Sequence, residues 1–179
     1  DNELNMSIKE VSIFDGRNLS LEWFESINYP VEISISQVVG FCLNRKDELL
    51  IVKNERGWGF PGGHPEIGET PDEALDREIL EESCVTINKR RLLGYVDVQD
   101  PQNQSVEGTH YIQLRYLADV KEILDFKEEH ETSERLFVPA AKLPEYIKWL
   151  LTSPTGSAQY KTLLDNIGKN EYRYLSAST

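Results

Sequence analysis

Between Gly62 and Val85 the chain joins a glycine turn, Gly62-Gly63-His64-Pro65-Glu66-Ile67-Gly68-Glu69, to a run carrying Arg77-Glu78-Ile79-Leu80-Glu81-Glu82. Thr70 is a good N-cap, Pro71 falls at the first helical position and Glu73 completes a capping box, so a helix is predicted to begin there. Ala74, Leu75 and Ile79 recur at helical spacing and can face a core. Glu78, Glu81 and Glu82 stand at i, i+3 and i+4 on the other side, where like charges repel unless a cation offsets them. Hard oxygen ligands of this kind suit Mg²⁺ or Mn²⁺, and Arg77 is close enough to orient one carboxylate. A plain solvated acidic face would explain the glutamates but would need neither the glycine turn nor an isolated Glu69 within it.

The segment resembles the signature of the Nudix hydrolases, G-x5-E-x7-R-E-U-x-E-E-x-G-U with U a bulky aliphatic. Gly63, Glu69, Arg77, Glu78, Ile79, Glu81, Glu82 and Val85 stand where that pattern asks, and Cys84 replaces its final glycine. That glycine would close the helix in a left-handed C-cap, where a Cβ costs on the order of 1–2 kcal/mol. The departure touches helix termination and leaves the carboxylates in place. The resemblance implies one Nudix hydrolase domain over residues 1–179, with 1–30 as an N-terminal hairpin extension and 141–179 as C-terminal helices.

A formal net charge of −12 argues against general binding of nucleic-acid duplexes, whose phosphate backbone is drawn to basic surfaces. It would also repel a small phosphorylated substrate unless bound cations offset it locally, which is a further argument for metal. Asp1-Asn2-Glu3-Leu4-Asn5 has no signal-peptide pattern, and no window approaches a membrane span. Cys42, in an apolar run, and Cys84 give neither a disulfide framework nor metal spacing, so a reducing cytoplasm is the expected setting. Cys42 reads as a small core residue.

Residues 8–14 and 20–27 read as a hairpin around Asp15-Gly16-Arg17-Asn18, followed by strands at Val31–Leu43 and Glu48–Lys53. Gly57-Trp58-Gly59-Phe60-Pro61 leads into the glycine turn. Further strands are expected at 91–99, 109–120 and 134–138, and helices at Pro144–Leu151 and Ala158–Ile167. Strands around one central helix, with more helices at the end, imply an α/β/α sandwich over a mixed sheet, which is also the Nudix-type architecture.

The chemistry implied is metal-dependent pyrophosphohydrolysis. Glu78, Glu81 and Glu82, with the Gly63 carbonyl, would hold Mg²⁺ or Mn²⁺ against a diphosphate, and a carboxylate would take the proton from water. In the family that base comes from the signature helix, here Glu78, or from a later acidic loop, here Glu128-Glu129-His130-Glu131, where Glu131 is preferred. His64, His130 and His110 carry no comparable signal. Trp58 and Phe60 can stack on a base or pack in the core. The approach Trp58-Gly59-Phe60-Pro61 resembles that of members acting on nucleoside di- and triphosphates. Pro101 resembles a proline of ADP-ribose pyrophosphatases, whose arginine-rich strand is absent from Leu50-Ile51-Val52-Lys53-Asn54-Glu55. The reading therefore leans to nucleoside tri- or diphosphates. The alternatives are an ADP-ribose or nucleotide-sugar pyrophosphatase, and a non-catalytic Nudix-like domain that binds or senses nucleotides. Residues before Val31 and after Leu143 can pack on the core, cover the site or mediate a homodimer.

Overall fold

A computed structural model describes residues 7–168. The acidic segment before residue 7 and the end of the chain after Gly168 lie outside the described residues. Among the described residues nine strands form one mixed sheet: β1 (Ile8–Phe14), β2 (Arg17–Glu25), β3 (Ser34–Leu43), β4 (Glu48–Asn54), β5 (Gly57–Gly59), β6 (Gly62–Gly63), β7 (Val85–Gln99), β8 (His110–Ile123) and β9 (Glu134–Pro139). Their order is β1-β2-β7-β8-β3-β4-β5, with β6 added to β3 and β9 to β4. Only β3 and β8 run parallel among these pairs.

The helices are α1 (Pro71–Ser83), α2 (Leu143–Tyr146), α3 (Trp149–Thr152) and α4 (Pro154–Ile167). Val38, Cys42, Leu50, Ile112 and Leu114 pack against Ala74, Leu75 and Ile79 of α1. Their alternates Val39, Phe41, Leu43, Leu49, Ile51 and Leu117 pack against Leu143, Ile147, Leu150 and Leu163 on the opposite face. Because both faces are covered, the centre of β3 reads as the unbroken apolar run Val38–Leu43 instead of an alternation. Gly40 sets how closely α1 can approach: a Cβ there would lie 2.7 Å from Ile79 Cδ1.

The hairpin is tighter than its sequence suggested. Asp15 (φ 51°) and Gly16 (φ 73°) form a two-residue primed turn, so β2 starts at Arg17 and not at residue 20. Through β2 the hairpin continues the main sheet against β7, and Trp23 Nε1 reaches Thr162 Oγ1 of α4 at 3.4 Å. Glu10 accepts from the hydroxyls of Ser153 and Thr155 at the start of α4. The buried Asp100 carboxylate takes a two-pronged bond from Arg17 at 3.1 and 3.2 Å and another from Tyr111 Oη at 2.9 Å.

Other boundaries differ from the sequence reading as well, and β8 runs on to Ile123. β3 begins at Ser34, after a turn over Val31–Glu32. β7 begins at Val85 instead of 91, because the polar run Thr86–Arg91 pairs with β8 through successive register shifts. The expected helix Pro144–Leu151 is broken at Ile147, whose backbone is extended (φ −121°, ψ 92°). The last helix starts at Pro154 and not Ala158, since Ser153 caps it by accepting from the Gly156 N–H.

Candidate active site

The helix that begins at Thr70 is built as its sequence asks. Thr70 Oγ1 accepts from Glu73 N at 3.2 Å and donates to Glu73 Oε1 at 3.0 Å, with Pro71 behind it. The glycine turn ahead of it is fixed to β3: Gly62 and Gly63 pair with Val39 and Val38, and Gly40 N donates to Pro61 O at 3.0 Å. The carboxyl group of Glu78 lies where a Cβ on Gly63 would fall, so only glycine lets the helix carboxylates come this close to the turn.

Arg77 is the hub of the cluster. It grips Glu69 with two bonds (2.6 and 2.9 Å) and reaches Glu78 Oε1 at 2.8 Å, Glu81 Oε2 at 3.3 Å and the His64 carbonyl at 3.2 Å. Those bonds from Arg77, with a further one from the Glu66 N–H, hold the Glu69 carboxyl down at about 2. The Arg77 guanidinium is raised in turn, chiefly by its bond to Glu69.

Glu82 stands apart. Its Oε1 accepts from Gly62 N at 2.7 Å, yet burial pushes its carboxyl up to about 7, and Glu78, Glu131 and Glu81 add to the rise. Its charge is thus under-compensated by the protein. Among the described residues no three His, Cys, Asp or Glu side chains close around a single point, because Arg77 spans Glu78 and Glu81 while Glu82 turns to Gly62. In donor type these oxygens nonetheless suit a hard divalent cation.

The loop after β8 is laced to the end of α1. Cys84 sits in the left-handed region (φ 56°, ψ 36°), and its N–H donates to Leu80 O. Its carbonyl accepts from Leu124 N at 2.9 Å, and its Sγ accepts from Lys127 N at 3.4 Å. Thr132, buried, donates to Glu82 O at 2.6 Å, and Arg135 Nη1 donates to Ser83 O at 2.8 Å and Cys84 O at 3.3 Å. Arg135 thereby supplies the positive charge that the last turn of α1 lacks. These contacts carry the exposed Glu131 to within electrostatic reach of Glu82.

The sequence did not single out Thr132 or Arg135. Their roles depend on partners some fifty residues away, and no local pattern marks them. Glu128, Glu129 and His130 are exposed. His64 Nδ1 lies 2.7 Å from Ser36 O and 3.3 Å from Glu107 Oε1, and His110 pairs with Asp97 at 2.8 Å. Trp58 and Phe60 are half-buried. Trp58 meets Tyr146 edge-on at 5.7 Å, and Phe60 meets Phe41 at 4.6 Å and Trp149 at 6.3 Å.

The NUDIX domain family model matches residues 35–156. The chain belongs to the NUDIX family. Its relatives include the Mycobacterium tuberculosis (strain CDC 1551 / Oshkosh) protein MutT4, 28% identical over 128 residues, which cover 70% of this chain and 46% of the relative. Another is diphosphoinositol polyphosphate phosphohydrolase 3-alpha of Mus musculus, 36% identical over 92 residues, 50% of this chain and 52% of the relative. The chain spans about half the length of these curated relatives. Among solved structures, the Bacillus subtilis pyrophosphohydrolase BsRppH superposes with a TM-score of 0.55 at 21% identity, over 72% of this chain and 76% of that one, and so shares the fold. The NUDIX match takes in the glycine turn, α1 and the loop ending at β9, while the hairpin β1–β2 lies before it. No helix among the described residues is long and apolar enough to cross a membrane.

Proposed function

We propose that this NUDIX chain hydrolyses a phosphoanhydride bond in a small phosphorylated substrate, a nucleoside tri- or diphosphate or another nucleoside diphosphate derivative. The observation that carries the reading is the geometry of the carboxylates at the glycine turn: Glu78 and Glu81 share Arg77, the Glu78 carboxyl fills the space a side chain at Gly63 would take, and Glu82 is held by the Gly62 N–H, with its carboxyl raised by burial and by these neighbours. A cluster so short of positive charge invites a cation. Glu78, Glu81 and Glu82, with the Gly63 carbonyl, would hold Mg²⁺ or Mn²⁺; such an ion neutralises charge on the phosphates and lowers the pKa of water.

The chain's own residues do the rest. Arg77 keeps Glu78 and Glu81 at fixed positions while Glu69 anchors Arg77 from behind. Thr132 ties its loop to the backbone of Glu82, which keeps Glu131 at the cluster as the proton acceptor for attacking water, with Glu78 as the other candidate. The packing of Trp58 and Phe60 with Tyr146 and Trp149 favours a structural role over free stacking platforms.

The reading is tested by presenting deoxynucleoside triphosphates, diadenosine polyphosphates, ADP-ribose and nucleotide sugars with Mg²⁺, with Mn²⁺ and with EDTA. Metal-dependent release of a phosphate or nucleoside monophosphate from at least one class is the expected result. No turnover of any class with either metal would favour a binding domain that has lost catalysis.

A further inference from the structure

On the face of the sheet away from α1, Arg115 of β8 is 7% exposed and has no carboxylate partner among the described residues. Its Nε donates to Gln159 Oε1 at 2.9 Å, its Nη1 to Gln37 Oε1 at 3.0 Å and to the Leu114 carbonyl at 3.3 Å, and its Nη2 to Gln113 Oε1 at 3.2 Å. A guanidinium carries five N–H donors, so one on Nη2 has no protein acceptor among the described residues. Burial lowers its pKa only to about 10, so the charge persists at neutral pH.

Burying a cation among neutral amides is costly unless something repays it. The arrangement also fixes the chemistry of what could. Each glutamine has turned its carbonyl oxygen to Arg115, which leaves the carboxamide NH₂ groups of Gln37, Gln113 and Gln159 as further donors around the guanidinium. Beyond the oxygens already bonded to Arg115, the groups that face outward here are donors, in a chain of net charge −12. Gln159 is buried at the inner end, while Gln37 and Gln113 are half-exposed. Hydrogen-bond register ties the place to the candidate active site: Arg115 pairs with Val39, and Val39 pairs on its other side with Gly62, whose N–H holds Glu82. Two strand spacings put the backbone of Arg115 about 10 Å from that of Gly62, with the guanidinium turned toward α4.

We propose that Arg115, framed by Gln37, Gln113 and Gln159, binds a phosphate group of the substrate lying beyond the bond that is cut. As a statement about substrate it rests on the anhydride-hydrolase reading; as a statement about anion binding it does not. The site's fork of planar donors favours phosphate over a point-charge contact.

The test is titration of the full chain with inorganic phosphate in EDTA, where the carboxylate cluster repels anions and cannot contribute. Calorimetry should show saturable 1:1 binding at constant ionic strength, and the Arg115 Nε–H NMR signal should shift along the same curve. Arg115→Gln should weaken binding at least roughly tenfold, the loss expected for a charge-assisted contact. Gln113→Leu, at a half-exposed position, should also weaken it and serves if Arg115→Gln does not fold. Glu82→Gln should leave phosphate binding in place. Acetate at equal concentration distinguishes a carboxylate site from a phosphate site. Absence of saturable phosphate binding, binding unaffected by Arg115→Gln or by Gln113→Leu, or tighter binding of acetate would each overturn the proposal. Failure of the hydrolase reading would show up instead as absent turnover with phosphate binding intact.

Discussion

The backbone N–H of Gly62 donates to the buried side of Glu82 at 2.7 Å, so one bond joins the glycine turn to the last acidic position of α1. It opposes the burial and the neighbouring carboxylates that raise the Glu82 carboxyl to about 7. The consequences of that tension can be measured without a substrate.

Glu82 should make the metal-free protein less stable as pH rises. Its folded pKa lies above the ordinary value of 4.5, so between those values the folded state holds more protons than the unfolded chain. Stability is then highest below about pH 4.5 with respect to this group, falls as pH climbs through about 7 and levels off above. The full swing is on the order of 3 kcal/mol. In EDTA, the drop in Tm between pH 5 and pH 8 should be smaller in Glu82→Gln than in the wild type by several degrees. An equal drop in both would remove Glu82 as its source.

Cys84 bears the cost of a side chain in the left-handed C-cap, and its return is a weak thiol contact to Lys127 at 3.4 Å. Strain relief of about 1 kcal/mol should exceed that contact, so Cys84→Gly should raise Tm by a few degrees. Cys84→Val, β-branched at positive φ, should lower it. Thermal melts of the three proteins decide the order.

Thr132→Val removes a hydroxyl from a buried site and leaves the Glu82 carbonyl without its 2.6 Å donor. The expected cost is about 1–3 kcal/mol in chemical denaturation. If the loop positions Glu131, kcat should fall more than KM rises, and a loss confined to stability would separate the loop from the chemistry.

How much of this was legible in the sequence varies from residue to residue. The start of α1 was, because Thr70, Pro71 and Glu73 act on one another within a single turn. The covered face of α1 followed from Ala74, Leu75 and Ile79 for the same local reason. The carboxylates of Glu78, Glu81 and Glu82 were correctly grouped on one side, but the sharing of Arg77 among Glu69, Glu78 and Glu81 was not foreseen. Arg115, Thr132 and Arg135 were missed because their meaning lies in partners remote in sequence. The break at Ile147 and the register shifts of β7 are tertiary choices that override local propensity.

The buried Asp100 ties the hairpin to the body of the sheet through Arg17 and Tyr111. Asp100→Ala strands the Arg17 charge and the Tyr111 hydroxyl together, at an expected cost of about 3 kcal/mol by urea denaturation. Because Arg17 stays partly exposed, a loss under about 0.5 kcal/mol would show that water replaces the carboxylate fully and that the hairpin is held by its apolar contacts alone.

The central claim is that Glu82 is held in a costly, partly buried position for the sake of turnover. It is tested most directly by measuring Glu82→Gln twice, once for Mg²⁺-dependent hydrolysis of whichever anhydride the wild type cleaves and once for Tm in EDTA at pH 8. Loss of an interaction realised in the transition state should lower kcat/KM by roughly a thousandfold, while the missing buried charge should raise Tm. A variant that keeps the wild-type rate, or that loses activity only because it melts earlier than the wild type, would contradict it.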